Sequence, residues 1–240
     1  ITSYENLSEH IIILGWYGLK TQRMIDHIRG DQNGKDTEIV LCAADNIENP
    51  MPGQTKFIRG TALNTVDLLT RAGAKTAKYI IALGNNDDET LSAALGAAAV
   101  NPEAHIVAYF EQQSFADLLN AHCSNAECNV SISIEMMVRS AQDPGSSRVQ
   151  RQLLSTLEGP TQFSLHVPTT AGAVKYGVLF SELKKSHNAT LFGVAESALG
   201  DDLLLNAPSD HLVNAGVILY FISSKRIEPS EINWSALSTI

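Results

Sequence analysis

Apolar positions in the first half of the chain fall in short runs, and each run is followed by a stretch with helical spacing. His10–Leu14 is the first run and stops at Gly15; Lys20–Ile28 then puts Met24, Ile25 and Ile28 on one side of a helix. A polar turn over Gly30–Asp36 leads into a second run at Glu38–Ala43. Lys56–Arg59 reads as a short third strand ending in Gly60-Thr61, with a helix over Val66–Ala72 behind it. Tyr79–Leu83 is a fourth strand ending at Gly84, and Asp87–Val100 is an alanine-rich helix. Ile106–Phe110 is a fifth strand and Phe115–His122 a short helix, while Val130–Ile134 reads as a sixth strand or as the start of a helix. Strands buried on both faces read as continuous apolar runs. Their alternation with helices predicts right-handed βαβ units in an α/β, Rossmann-like, doubly wound parallel sheet.

The rhythm changes after about residue 135. Glu135–Ala141 and Ser147–Leu157 predict two helices with a bend at Asp143-Pro144-Gly145, since proline has no N–H to donate and glycine is permissive. A second break lies at Glu158-Gly159-Pro160. Beyond it, Phe163–Val167 alternates apolar and polar as a half-buried strand does, Val174–Lys185 has helical spacing, and Thr190–Ala195, Leu203–Asn206 and Val217–Ser223 read as strands. The expected organisation is a Rossmann-like N-lobe over 1–130, a helical crossover over 131–160, a smaller α+β C-lobe over 161–227 and a loosely held polar tail over 228–240, which Trp234 could dock.

Composition narrows the class. Of the 240 residues, 44% are hydrophobic and 18% charged, enough to build a core and too apolar for global disorder. A net charge of −9 sets aside nucleic acid as a partner, because that needs a basic face. No apolar run reaches the ~18 residues a bilayer requires. The chain opens on Ile1 with no methionine or signal-peptide pattern, so a preceding segment is expected. Cys42 reads as a small core residue; Cys123 and Cys128, with His122 beside them, lack the tight repeated spacing of a zinc site and read as reduced thiols.

The candidate chemistry lies at the ends of the predicted strands. Gly15-Trp16-Tyr17-Gly18 links the first strand to a helix, the place where a helix N-terminus receives a phosphate. The spacing departs from G-x-G-x-x-G, because Tyr17 and Lys20 stand at the second and third glycine positions. A nucleotide crevice and a plain tight turn both fit. Asp45, after the second strand, is the acid placed to hold a ribose hydroxyl, or is a solvated loop residue. Gly60-Thr61 and Gly84-Asn85-Asn86 follow the third and fourth strands, where a glycine lets a base or ribose lie against the backbone and where Thr61, Asn85 or Asn86 could cap a helix. Asp87-Asp88-Glu89 fits a helix dipole, at about 0.3–1 kcal/mol per acid, better than a metal site. Asp143 at the bend has no acidic neighbour. No G-x-S-x-G elbow or P-loop is present and the seven histidines are scattered, which lowers the expectation of an enzyme.

With these elements in order, residues 9 to about 226 resemble the RCK family, the regulators of potassium conductance, of TrkA-N/TrkA-C type. The resemblance is carried by Ile11–Thr21, Phe57-Ile58-Arg59-Gly60-Thr61, Leu68-Leu69-Thr70-Arg71-Ala72-Gly73 and Ala77-Lys78-Tyr79-Ile80-Ile81-Ala82-Leu83, and in the C-lobe by 163–223 with the Gly216 turn. Gly15-Trp16 is closer to channel-attached members than to transporter-attached ones. Thr61 departs from the family, which usually has Asp there, and removes a charge from the pocket. Ser164 and His166 stand where calcium-gated relatives carry carboxylates, and Asp143 alone would not hold calcium tightly.

The resemblance implies a non-enzymatic, ligand-sensing gating-ring domain on the cytoplasmic face of the cell membrane, joined to the transmembrane pore domain of a potassium channel. The ligand implied is NAD or an adenine nucleotide, held by Gly15, Trp16, Tyr17, Gly18, Asp45, Gly60, Thr61, Gly84 and Asn85, with no metal; K+ passes the pore and not this domain. Copies would pair through the end of the N-lobe, the crossover and the C-lobe, and the dimers would assemble into a tetrameric or octameric ring. The alternatives are the same module on a potassium transporter, a divalent-cation-gated ring, and an NAD-dependent oxidoreductase, for which the C-lobe is too small to supply a catalytic domain.

Overall fold

In a computed structural model, which describes residues 1–238, the chain divides into two compact units, Ile1–Ser133 and Ile134–Ile240. The last two residues of the predicted tail lie outside the described residues.

The first unit is a six-stranded parallel sheet in the order β3-β2-β1-β4-β5-β6. Its strands are β1 Ile11–Leu14, β2 Ile39–Ala43, β3 Lys56–Arg59, β4 Tyr79–Ala82, β5 Ile106–Phe110 and β6 Ala126–Val130. Every residue of β1 and β2 is buried, as a doubly covered central strand requires. Successive side chains go to opposite faces. Ile11, Ile13, Ile39 and Leu41 pack with Ile25 of helix α1 (Leu19–Gly30). Ile12, Leu14, Val40, Cys42 and Ile58 pack on the other face with α2 (Val66–Arg71), α3 (Asp87–Val100) and α4 (Gln113–His122). The alanine-rich α3 lets backbones approach closely: a Cβ on Gly96 would stand 2.9 Å from Asn64 backbone atoms.

The sixth strand differs from expectation. It occupies Ala126–Val130, ahead of Val130–Ile134, and a helix, α5, starts at Ser133. This is the edge of the sheet, where Glu127 and Asn129 face solvent and break the apolar run.

The second unit carries α5 (Ser133–Gln142) and α6 (Ser146–Leu154), which are separated by Gly145 at φ +96°. Neither helix buries a residue. The α6 helix stops before Leu157, because the Ser155 hydroxyl accepts the N–H groups of Leu157 and Glu158. A four-stranded antiparallel sheet follows, in the order β10-β9-β12-β7, from β7 Thr161–His166, β9 Thr190–Ala195, β10 Leu204–Leu205 and β12 Ile218–Ser223. The stretch expected as one helix over Val174–Lys185 starts as a strand: β8 (Val174–Lys175) pairs with β11 (Leu212–Val213), and α7 runs over Tyr176–His187. A two-residue strand is too short to show a period in sequence. The tail is held rather than loose. Trp234, at the start of α8 (Trp234–Leu237), packs into the second core, and its indole N–H donates to Pro229 O at 2.9 Å.

No helix among the described residues is long and apolar enough to cross a membrane.

Candidate functional site

The strand order sets the site. β1 and β4 are neighbours although their connections run in opposite directions, and a doubly wound sheet opens a crevice at such a point beyond the strand carboxyl ends. The turn after β1 meets the end of β4 there.

Gly15 is at φ +118°, and its N–H donates to Cys42 O at 2.9 Å. A Cβ on it would stand 2.1 Å from the Leu83 carbonyl oxygen, so no other residue fits. Trp16 is half-buried and packs against the core cluster that contains Ile25 of α1. Tyr17 is exposed; its N–H donates to the buried Thr21 hydroxyl at 2.8 Å, and the Lys20 ammonium sits 4.6 Å above its ring. Gly18 precedes α1 at φ +58°, with nothing within 4 Å of a built Cβ and no side chain capping the helix. This turn therefore leaves the α1 N-terminus open to a ligand.

Asp45 is exposed on the loop after β2, and the adjacent Asn46 accepts from Arg59 at 2.8 Å, which ties that loop to the end of β3. The other glycines have packing reasons. The space beside Gly60 is filled by Leu68, whose Cδ1 is 2.4 Å from a built Cβ, and the space beside Gly84 by the Glu89 side chain at 2.9 Å. Thr61 is exposed and does not cap α2; Thr65 does, accepting from Leu68 N–H. Asn86, not Asn85, caps α3.

Two acids of the Asp87-Asp88-Glu89 run have contacts here that the helix dipole does not account for. The two carboxylate oxygens of Asp87 accept the N–H groups of Glu111 and Gln112 at 3.0 and 3.1 Å, joining the loops after β4 and β5. Glu89 lies across Gly84, beside Asn85, whose polar groups favour the ionised carboxylate. Burial, and after it the charge of Asp45, hold its carboxyl above the ordinary value. The signal in sequence is the spacing Asn85 to Glu89, which turns the third acid of the run back onto the loop.

Asp45, the Gly15–Gly18 turn and the Gly84–Asn85 loop thus stand on one edge of the sheet, with Thr61 beside them on the end of β3. The arrangement offers helix N–H groups, a free carboxylate and an open backbone, which suits a phosphate and a sugar diol. Among the described residues no group of three or more His, Cys, Asp or Glu side chains could hold a metal ion. Asp143 pairs with Arg139 at 2.9 Å on the surface of α5.

The chain is 26% identical over 160 residues to Potassium channel protein 1 of Methanocaldococcus jannaschii, an alignment covering 66% of this chain and 47% of that protein. Its fold is similar to the human SLO3 gating ring, with a TM-score of 0.67 at 13% identity over 90% of this chain and 44% of that one. It spans less than half the length of either. Residues 11–130, the span from the first strand to the last of the sheet that forms the crevice, match the model of the TrkA-N domain, and the chain belongs to the TrkA-N domain family.

Proposed function

We propose that this chain is the ligand-sensing part of a gating ring on a potassium channel, binding NAD or an adenine nucleotide in the crevice over β1 and β4. One observation carries the reading: the turn after β1 is pressed against Leu83 O at Gly15 yet open at Gly18, so the N-terminus of α1 faces free space at the switch point of the sheet. Asp45 holds the ribose from the β2 side, and Thr61 and Asn85 border the pocket. Family membership and the likeness to a potassium channel protein support attachment to a pore and, with it, a position on the cytoplasmic face of the membrane.

The segment 131–160 is the pairing surface. Ile134, Met137 and Val138 line one side of α5, all exposed, and Val149, Leu154 and Leu157 are exposed on and after α6. Helices with an apolar side and no buried residue of their own need a partner, and a second copy supplies an identical one. A ligand that fits one ring shape better shifts the gate by its differential affinity. Moving a gate from mostly closed to mostly open takes about 5.5 kcal/mol, or about 0.7 kcal/mol from each site of an octameric ring.

The test is a thermal-shift and calorimetric panel of NAD, NADH, ATP, ADP and AMP on the wild type and on Asp45→Ala. A binder raises the melting temperature by mass action. The expected result is a shift with at least one nucleotide that Asp45→Ala weakens. No shift with any, or a shift unchanged by the substitution, removes the site.

A further inference from the structure

We propose that Glu89 faces the bound ligand and couples nucleotide binding in this crevice to the uptake of a proton. The proposal rests on the reading of the crevice as a nucleotide site and gives that site a regulation of its own. Glu89 lies in the first turn of α3, with Cβ and Cγ 2.9 Å and Cδ 3.1 Å from where a Cβ on Gly84 would stand. Its side chain therefore covers the backbone at the end of β4, beside Asn85.

The charge that acts on it has the same sign as its own. Asp45, from the loop after β2, bears on Glu89 from another element. In the sheet order, β1 lies between β2, which leads into the loop of Asp45, and β4, which leads into the helix of Glu89, so the turn over Gly15–Gly18 leaves the sheet between the two segments that carry these acids. That turn, Gly15-Trp16-Tyr17-Gly18-Leu19, contributes no cation. The next residue, Lys20, lies over the Tyr17 ring, and the Asp87 carboxylate is taken up by two backbone N–H groups. Burial and Asp45 already favour the protonated form of Glu89, against the opposing effect of Asn85.

A phosphate on this turn adds negative charge within the same space. A like charge disfavours the ionised carboxylate, so the bound complex takes a proton more readily than the free protein. Linkage makes the effect reciprocal: the protonated protein binds the nucleotide more tightly. Affinity is then flat above the value at which Glu89 titrates in the complex. It climbs as pH falls, by up to about tenfold per pH unit, and levels off below the value in the free protein. A hydroxyl donated to an ionised Glu89 would do the reverse, releasing a proton and weakening binding in acid.

The experiment is calorimetric titration of the full-length protein with ADP and with NAD across mildly acidic to neutral pH, in two buffers of different ionisation enthalpy, for wild type, Glu89→Gln and Glu89→Ala. Unliganded melts that overlay the wild type show that the variants are folded. The expected result is uptake of up to one proton by the wild type and none by either variant, with both variants binding more tightly than wild type at the upper end of the range. Binding with no proton change, with proton release, or with a pH slope retained in Glu89→Gln overturns the proposal while leaving the nucleotide site standing. Absence of binding heat in the wild type and Glu89→Gln at every pH overturns the nucleotide reading and this proposal with it.

Discussion

The Leu83 carbonyl oxygen occupies the place that a Cβ on Gly15 would need, 2.1 Å away, and Gly15 is at φ +118°. The end of β4 is thereby locked onto the turn after β1, and two walls of the crevice become one unit. Gly18, three residues on, has a left-handed φ of +58° with open space around it. The two glycines therefore separate fold from function. Gly15→Ala meets both backbone strain and a backbone clash, and is expected to cost at least about 3 kcal/mol or to prevent folding. Gly18→Ala meets strain alone, about 1–3 kcal/mol. Urea unfolding of both variants checks the order; equal stabilities would refute the contact.

Asp45 is exposed on its loop and acts on Glu89 through charge alone, so replacing it disturbs little packing. Asp45→Ala is expected to keep the melting temperature of the unliganded protein. A charged hydrogen bond is worth about 1.5–3 kcal/mol, which predicts a loss of nucleotide affinity of about ten- to a hundredfold. Calorimetric titration reads both arms, and an unchanged dissociation constant would place the ligand elsewhere.

Arg29, in the last turn of α1, donates to the carbonyls of Gly34, Thr37 and Gln54, the last at 2.7 Å. It closes the polar turn over Gly30–Asp36 and fixes it to the loop before β3. Arg29→Met removes the donors and leaves half-buried carbonyls with fewer partners. The expected cost is about 2–4 kcal/mol by chemical denaturation. A change below about 0.5 kcal/mol would show that water replaces the guanidinium without loss.

Much of this fold is legible in the chain because its strands are bounded by turn residues. Lys56–Arg59, Asp87–Val100 and Ile106–Phe110 are found at the bounds their patterns predict. The edge of the sheet is not legible in the same way, since Glu127 and Asn129 face water and β6 loses its apolar signal. The pairing of Val174–Lys175 with Leu212–Val213 is invisible because its partners are distant and only two residues long. At the site, the strand ends are readable but the reason for each residue is not. Gly60 and Gly84 are expected to face a ligand, and the structure adds a packing reason for each, since Leu68 and Glu89 fill the space a Cβ would take. Which side chain a glycine makes room for depends on tertiary packing, which no local pattern encodes.

Cys42 is fully buried, and burial pushes its thiol up to about 12 from 9.0; burial and then Asp31 push the Tyr79 hydroxyl up to about 12 from 10.0. In both cases the unfolded chain loses its proton first. The native state therefore holds more protons above pH 9 for Cys42 and above pH 10 for Tyr79, and stability falls as pH rises through these windows toward about 12. Each group contributes a slope of up to about 1.4 kcal/mol per pH unit. Cys42→Ala is expected to flatten part of the fall just above pH 9, while Cys123 and Cys128, also raised by burial, keep some of it. Urea midpoints at increasing alkaline pH measure the slopes, and identical slopes for wild type and variant would refute the assignment.

Ile134, Met137 and Val138 recur at the helical spacing that puts them on one side of α5, and each is more than half exposed, Met137 at 68%. No residue of α5 is buried within its own chain, so this side contributes little to the stability of a single copy. A charge placed there should act on association alone. Met137→Glu would set two carboxylates against each other across a self-complementary interface, since a two-fold axis pairs each surface with itself. Like charges desolvated at an interface cost several kcal/mol, enough to shift dissociation by more than about a hundredfold. The expected outcome in light scattering after size exclusion is a monomer where the wild type is a dimer or larger, with the far-ultraviolet spectrum and the unliganded melt of each copy retained. An assembly unchanged by Met137→Glu would move the pairing surface away from this helix. A variant that unfolds would show that α5 supports its own chain, against the exposure of every residue along its apolar side.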